Sequence, residues 1–434
     1  MKRLQPVVLG GDIGAYSLAR SFHEAYGVTP VVVSGMSTGL VRHSRILRHV
    51  AEPRIDDPEA IVARLREIAA EHADADLLVV GSADWLVRLL VENRDRLEDL
   101  YTVPYVEEKL LHRLTDKEGF GDLCAELGVA HPTTVVHQFA GQDAGGEPDT
   151  SGLTFPVIAK AASTAAYHEV EFAGKKKVFL VESRDELTDL LERVRAAGYT
   201  GTFVIQDYIP GDDSGMRILT CYSDAEGKVR FSAFGHVLLE EHTPGALGNP
   251  AGIITQTERE VVAQATRLLE HVGWTGFANF DLKYDPRDGR YVFFELNPRL
   301  GRSNFYITAA GANAVRFYVH EHLRGLDPDP RAVLGPDVAL SAAGELEGRH
   351  LYTVLPGPLL RRYVLDPSVR ADARRLARRR RSTNPLWYRA ETDPRRIAYL
   401  CLAQLNQWRK YARHYPLAEA RRLAWRGPAS TGQV

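Results

Sequence analysis

The chain has 434 residues, more than one hydrophobic core fills, so at about 100 to 200 residues per domain it should divide into two to four domains or lobes. Hydrophobic residues at 44% and charged residues at 25% exclude a disordered or fibrous chain. The formal net charge of -2 excludes whole-molecule attraction to nucleic acid or an anionic membrane and leaves only local patches to supply it.

Cys124, Cys221 and Cys401 form no Cys-x-x-Cys pair, so neither a disulfide framework nor a zinc site is expected. The start, MKRLQPVVLGGD, has too short an apolar run for a signal peptide, and no later segment approaches the length of a membrane span. A cytoplasmic location is the expectation.

In chain order, Val7 to Leu9, a glycine turn, AYSLARSFHEAY and Val31 to Val33 read as strand, helix, strand, the pattern of a parallel α/β unit. Arg64 to Glu71 reads as a helix, Leu77 to Val80 as a strand and Asp84 to Asn93 as a helix. The turn GGDIGA does not fit Gly-x-Gly-x-x-Gly, and Val33 is followed by Ser34 and Gly35 rather than an acid, so a dinucleotide site is not expected. A tight strand-to-helix turn is the plainer reading, with its amides open to a small anion.

From Thr115 the pattern becomes α+β. Helices are expected at Asp116 to Leu127 and Asp185 to Ala197, and strands at Phe155 to Lys160, Val178 to Val181 and Phe203 to Tyr208. GQDAGGEPDTSG, ending at Gly152, suits an exposed connection. Further strands are expected near Met216 to Tyr222, Val229 to Leu239, Ala278 to Tyr284 and Tyr291 to Leu296, with a helix at Glu258 to Val272. Beyond Leu326, LDPDPR and LPGPLL read as connections, Ala371 to Arg381 as a basic helix, and Pro394 to Tyr411 as an amphipathic one.

The chemistry concentrates in FANFDLKYD and VFFELNPR, two strands joined by the turn-rich PRDGR. Residues two apart on a strand share a face, so Glu295 and Asn297 can converge with Asp281 on the neighbouring strand. Two carboxylates and an amide suit Mg2+, and without a cation their proximity is costly. The alternative for each acid is pairing with Arg299 or Arg302. Lys117 in TDK and Lys160 in PVIAK are placed as phosphate-binding ammonium groups or as solvated surface residues.

This order of residues resembles the ATP-grasp superfamily: Lys117, Lys160 on a strand, QDYIPGDD at 206–213, Asp281, then Glu295-x-Asn297. VVLGGDIGAYSLARSFHEAYG, AGKKKVF, NPRLGRSNFY and NPLWYRAETDP extend the resemblance to the D-aspartate ligase group of carboxylate-amine ligases over most of the chain. The resemblance implies an ATP-grasp fold of mixed α/β and α+β class. Its divisions are a Rossmann-like α/β domain at 1–112, a small lobe at 113–207, a large lobe at 208–326 and a mainly helical extension at 327–434.

It also implies roles. Lys117 and Lys160 contact the α- and β-phosphates, and Gln206, Tyr208 and the backbone of Ile209 hold adenine. Gln206 stands where Glu is commoner. Asp213 takes the ribose hydroxyls, while Asp281, Glu295 and Asn297 hold two Mg2+ ions, with Mn2+ as a substitute. Arg299 stabilises the acyl phosphate or the oxyanion. Arg302 takes a carboxylate in bidentate fashion or pairs structurally with an acid. Lys175, Lys176 and Lys177 close over the triphosphate or remain solvated.

The activity implied is amide formation between an amino acid and an amine, with ATP cleaved to ADP and phosphate. In the resembled group that amine belongs to a peptidoglycan precursor. The readings set against this are a ligase of peptide-like natural products or metabolites, a non-catalytic nucleotide-binding protein, and an RNA-binding protein using RRLARRRR. No nucleic-acid partner is expected on the main reading, and membrane contact through Arg374 to Arg381 is at most peripheral.

Overall fold

Strand β1 (Arg3–Leu9) is buried on both faces, with Val7, Val8 and Leu9 fully enclosed, as its unbroken apolar run requires for a central parallel strand. The computed structural model describes residues 2–140, 148–162, 167, 170–176 and 178–423. Lys177 and most of the Gly- and Asp-rich connection, at 141–147, lie outside the described residues. β1 pairs in parallel with β2 (Val31–Ser34) and β4 (Ala75–Gly81), and the sheet order is β3-β2-β1-β4-β5, with β3 at Arg48–Ala51 and β5 at Tyr101–Thr102. The helix Ile13–Tyr26 follows β1. Asp12 caps it by accepting from the Ala15 amide at 2.9 Å, and Gly27 ends it in the left-handed region at φ 64°.

A second sheet has the order β6-β9-β7-β8, all antiparallel, from β6 (Thr134–Gln138), β7 (Val157–Ala161), β8 (Phe179–Val181) and β9 (Thr202–Asp207). The helix Arg184–Ala196, capped by Ser183, buries Leu187, Leu190, Leu191 and Val194 against it, the spacing of one helical face.

The largest sheet runs β14-β13-β10-β11-β12-β15-β16, with β10 at Met216–Ser223, β11 at Val229–Glu240, β12 at Pro250–Gln256, β13 at Gly276–Tyr284, β14 at Tyr291–Asn297, β15 at Leu351–Thr353 and β16 at Ser382–Thr383. The C-terminal segment, expected to be mainly helical, thus also supplies two strands, β15 and the edge strand β16. LPGPLL is not a plain connection: the helix Gly357–Tyr363 starts within it, because proline in a first turn gives up an amide that has no helical partner. The basic helix also differs from expectation. It begins at Pro367, capped by Asp366, and stops at Arg378. Arg380 takes φ 58°, and the chain then turns into β16. Among the described residues no helix is long and apolar enough to cross a membrane.

Contacts group the chain into two units, Met1–Thr115 with Gly211–Leu282 and Glu295–Val434, and Asp116–Pro210 with Lys283–Phe294. The larger therefore holds the parallel sheet, most of the seven-stranded sheet and the C-terminal helices. The smaller holds the four-stranded sheet and the tip of the β13–β14 hairpin.

Candidate active site

In the larger unit, the alternation of β13 and β14 sends Leu282 and Leu296 into the core and leaves Asp281 and Glu295 half-buried beside each other. Asn297 donates from Nδ2 to Asp281 Oδ2 at 3.2 Å and to the Asn279 carbonyl at 3.3 Å. One residue pair further on, Arg299 donates to Asn297 Oδ1 at 3.4 Å and to Asp84 Oδ2 at 2.8 Å. Four of the predicted residues, Asp281, Glu295, Asn297 and Arg299, therefore meet in one cluster. Beneath it a buried chain of hydroxyls fixes the floor: Thr220 donates to Asn279 Oδ1 at 2.9 Å, and Tyr306 donates to Thr220 Oγ1 at 3.0 Å.

The electrostatics follow from this placement. Desolvation first, and then the neighbouring Glu295 carboxylate, raise the Asp281 acid well above the usual carboxylate range, while Arg299 and Asn297 pull it back. Among the described residues, Arg299 Nε and Asp84 Oδ1 are buried without a hydrogen-bond partner, so the guanidinium retains an unmade donor beside the acids.

Arg302 is engaged elsewhere, with NH1 on Glu241 Oε1 at 2.6 Å and Nε 3.4 Å from Asp12 Oδ2. Its loop lies against the first helix: a Cβ on Gly14 would come within 3.1 Å of the Arg302 Cα. The anionic group at that helix start is the chain's own Asp12. Asp213 accepts from the Glu240 amide at 2.9 Å and pairs with His242 Nε2 at 2.8 Å, and the His242 ring stacks on Tyr415 at 3.5 Å. His236 bonds the Ser214 carbonyl at 2.8 Å, and burial holds it neutral, its pKa lowered to about 4.

In the smaller unit, Gln206 is buried opposite Thr134 and donates to its hydroxyl at 2.9 Å. Lys283 donates to the Ile209 carbonyl at 2.8 Å with its ammonium 5.6 Å from the Tyr208 ring centre, so it fixes the backbone of the segment expected to hold adenine. Lys160 sits half-buried on β7, and Lys117 opens the helix Lys117–Glu126. Lys175 is turned to its own loop, on the Val170 carbonyl at 2.5 Å and Glu171 at 3.1 Å, while the Lys176 carbonyl accepts from Tyr167.

Sequence reasoning missed Asp84, Glu241, Asp12 and Lys283. The first three are separated in sequence from the arginines they hold. Lys283 alone left a signal, two residues beyond Asp281 on the same strand face.

Over 321 residues, 73% of this chain and 76% of the relative, the sequence is 36% identical to the D-aspartate ligase of Enterococcus faecium (strain Aus0004). This chain belongs to the ATP-grasp carboxylate-amine ligases. The family model for the carbamoyl-phosphate synthase L chain, ATP binding domain, matches residues 240–312, which contain the Asp281 to Arg302 cluster. Among solved structures, the L-amino acid ligase from Bacillus licheniformis aligns with a TM-score of 0.54 at 15% identity, over 79% of this chain and 82% of that one. N5-carboxyaminoimidazole synthetase from Staphylococcus aureus, complexed with ADP, aligns with a TM-score of 0.54 at 14% identity, over 82% and 84%. At such identities these likenesses speak for the ATP-grasp fold.

As an ATP-dependent ligase, the chain must offset phosphate charge, and the donor set fits a hard divalent cation. Asp281 and Glu295 offer carboxylate oxygens, and Asn297 offers its amide oxygen once the group is turned over from Asp281. Two acids whose proximity makes one retain a proton form a site that a cation relieves.

Proposed function

We propose that the ligase activates the carboxylate of an amino acid, with D-aspartate the first choice, and joins it to an amine of a peptidoglycan precursor. The choice of acid rests on the 36% identity to a relative named D-aspartate ligase. The observation that carries the chemistry is the clustering of Asp281, Glu295, Asn297 and Arg299, acids to hold a cation next to a guanidinium with a donor to spare.

In the proposed reaction the substrate carboxylate attacks the γ-phosphorus of ATP, the bond to the bridging oxygen breaks, and ADP leaves an acyl phosphate. The amine then attacks the acyl carbon, loses a proton, and phosphate departs. Mg2+ held by Asp281, Glu295 and Asn297 would supply neutralisation of the β- and γ-phosphates. Arg299, oriented by Asp84, stabilises charge on the acyl phosphate and on the tetrahedral oxyanion. Lys117 and Lys160 bind the α- and β-phosphates, with Lys176 as a further cation for the triphosphate. Gln206, Tyr208 and Ile209 bind adenine, with Lys283 fixing the Ile209 carbonyl. Asp213, held by His242 and the Glu240 amide, takes the ribose hydroxyls. Arg302, held by Glu241 and Asp12, shapes the loop that follows Arg299 and takes the substrate carboxylate only by giving up one of these acids.

The test is product mass spectrometry after incubation with ATP, Mg2+, an amino-acid panel including D-aspartate, and hydroxylamine as the stand-in amine. The expected result is a hydroxamate of D-aspartate with stoichiometric ADP. A hydroxamate of another acid overturns the choice of substrate. No Mg2+-dependent ADP release with any acid, by folded protein that binds ATP, overturns the ligase chemistry.

A further inference from the structure

Between Arg361 and Arg381 the chain carries nine arginines and two aspartates. On the helix Pro367–Arg378, Arg374 and Arg378 stand one turn apart and exposed. With Arg370, Arg375 and Arg379 they line a concave strip of about 630 Å³. Among the described residues, Arg375 pairs with Asp372, whereas Arg374, Arg378, Arg379, Arg380 and Arg381 enter no ion pair.

A second feature lies on a neighbouring helix. Of the twelve large hydrophobic residues exposed among the described residues, six lie between Trp387 and Trp408. On the helix Pro394–His414, Leu400 and Tyr411 are buried, while Leu402 and Leu405, each 67% exposed, and Trp408 form an apolar stripe on another face. Arg409 and Arg413, exposed and one turn apart, flank it. The two helices are neighbours: Ala373 and Ala377 of the first line one groove, about 270 Å³ in volume, with Trp387 and Gln404.

We propose that this C-terminal face of the larger unit docks on an anionic lipid bilayer, with the arginines on the headgroups and Leu402, Leu405 and Trp408 entering the interface. Charge selects the occupant. An amphipathic helix with basic flanks is stabilised at an anionic surface both by buried apolar area and by attraction of each basic residue to the headgroups. A second copy of the chain would bring arginine against arginine, and a nucleic acid has no use for the exposed leucines. Because the whole molecule is nearly neutral, at -2, attraction from this one patch would also orient the protein on the surface.

The experiment is co-sedimentation of the full chain with vesicles of phosphatidylglycerol and phosphatidylcholine, or of phosphatidylcholine alone, at low and high salt. Binding should require the anionic lipid and weaken with salt. Arg374→Gln/Arg378→Gln should lower vesicle affinity about tenfold or more, and Leu402→Ser/Leu405→Ser should reduce it comparably. Both variants should keep wild-type thermal stability and wild-type ADP release with soluble substrates. Equal binding to neutral vesicles, or unchanged binding by the arginine variant, overturns the proposal. Sedimentation velocity showing a dimer that the leucine variant dissolves would make the stripe an interface between copies instead. Salt-dependent RNA binding that ignores the leucine variant, without vesicle binding, would make the patch a nucleic-acid site.

Discussion

Glu295 is the residue at which activity and stability should separate. Beside a half-buried Asp281 whose proton affinity it raises, its negative charge costs folding free energy when no cation is present. Glu295→Gln should therefore leave the metal-free melting temperature unchanged or slightly higher, while ADP release falls by about 10²- to 10³-fold, as expected for loss of a charge that organises phosphoryl transfer. Calorimetry in chelator and a coupled ADP assay read the two effects. A large fall in melting temperature with little specific loss of turnover would assign Glu295 a structural role. Asp84→Asn probes the same cluster from the other side. It keeps the size of the side chain but removes the charge facing Arg299, held at 2.8 Å. Turnover should fall about tenfold with ATP affinity unchanged, because the guanidinium is loosened and not removed. A change confined to ATP affinity would place Arg299 in nucleotide binding instead.

At the level of elements, the C-terminal segment is woven into the fold. Arg396, on the helix Pro394–His414, is 1% exposed; its Nε lies 3.3 Å from Glu391 Oε1 and its guanidinium stacks 4.3 Å from the Tyr16 ring centre. Glu391 in turn accepts from Tyr16, Ser44 and the Arg45 amide, so this one pair ties the last long helix to the first. Arg396→Ala should cost about 3–5 kcal/mol, the usual penalty for leaving one partner of a buried pair uncompensated. Chemical denaturation would measure it, and a loss below about 1 kcal/mol would mean that water reaches Glu391. None of this was legible in the sequence, because Tyr16 and Glu391 are 375 residues apart. The strands with strong local patterns were legible: β1, β13 and β14 carry their alternation or apolar run within themselves. β3, β15 and β16 were not, since they are two to four residues long and exist only through pairing with distant strands. The same division holds in the site. Glu295 and Asn297 announce themselves by spacing on one strand, while the partners that aim the arginines come from the first 84 residues and from the end of β11.

For the whole molecule, buried histidines should set an acid limit to stability. Desolvation is the main cause of a pKa lowered to about 4 for His236, His322 and His350, assisted by Arg217, Arg94 and Arg381 respectively. The unfolded chain takes up these protons near pH 6.5, and the folded one only near pH 4, so the unfolded state binds more protons between those values. Stability is thus fully present above about pH 6.5 and falls as the pH drops toward 4, by about 3 kcal/mol for each well-buried histidine and less for the more exposed His350. Asp281 and Glu321 work in the opposite direction. Their raised pKa values let the folded state take up protons first on acidification, which offsets part of the loss. The contribution of one histidine is therefore best read by difference. His236→Gln, which keeps a donor for the Ser214 carbonyl, should match the wild type at pH 7.5 and surpass it progressively below pH 6 in urea melts. Parallel stability curves for the two proteins from pH 7.5 to 4.5 would mean that His236 is charged, or equally accessible to protons, in the folded state.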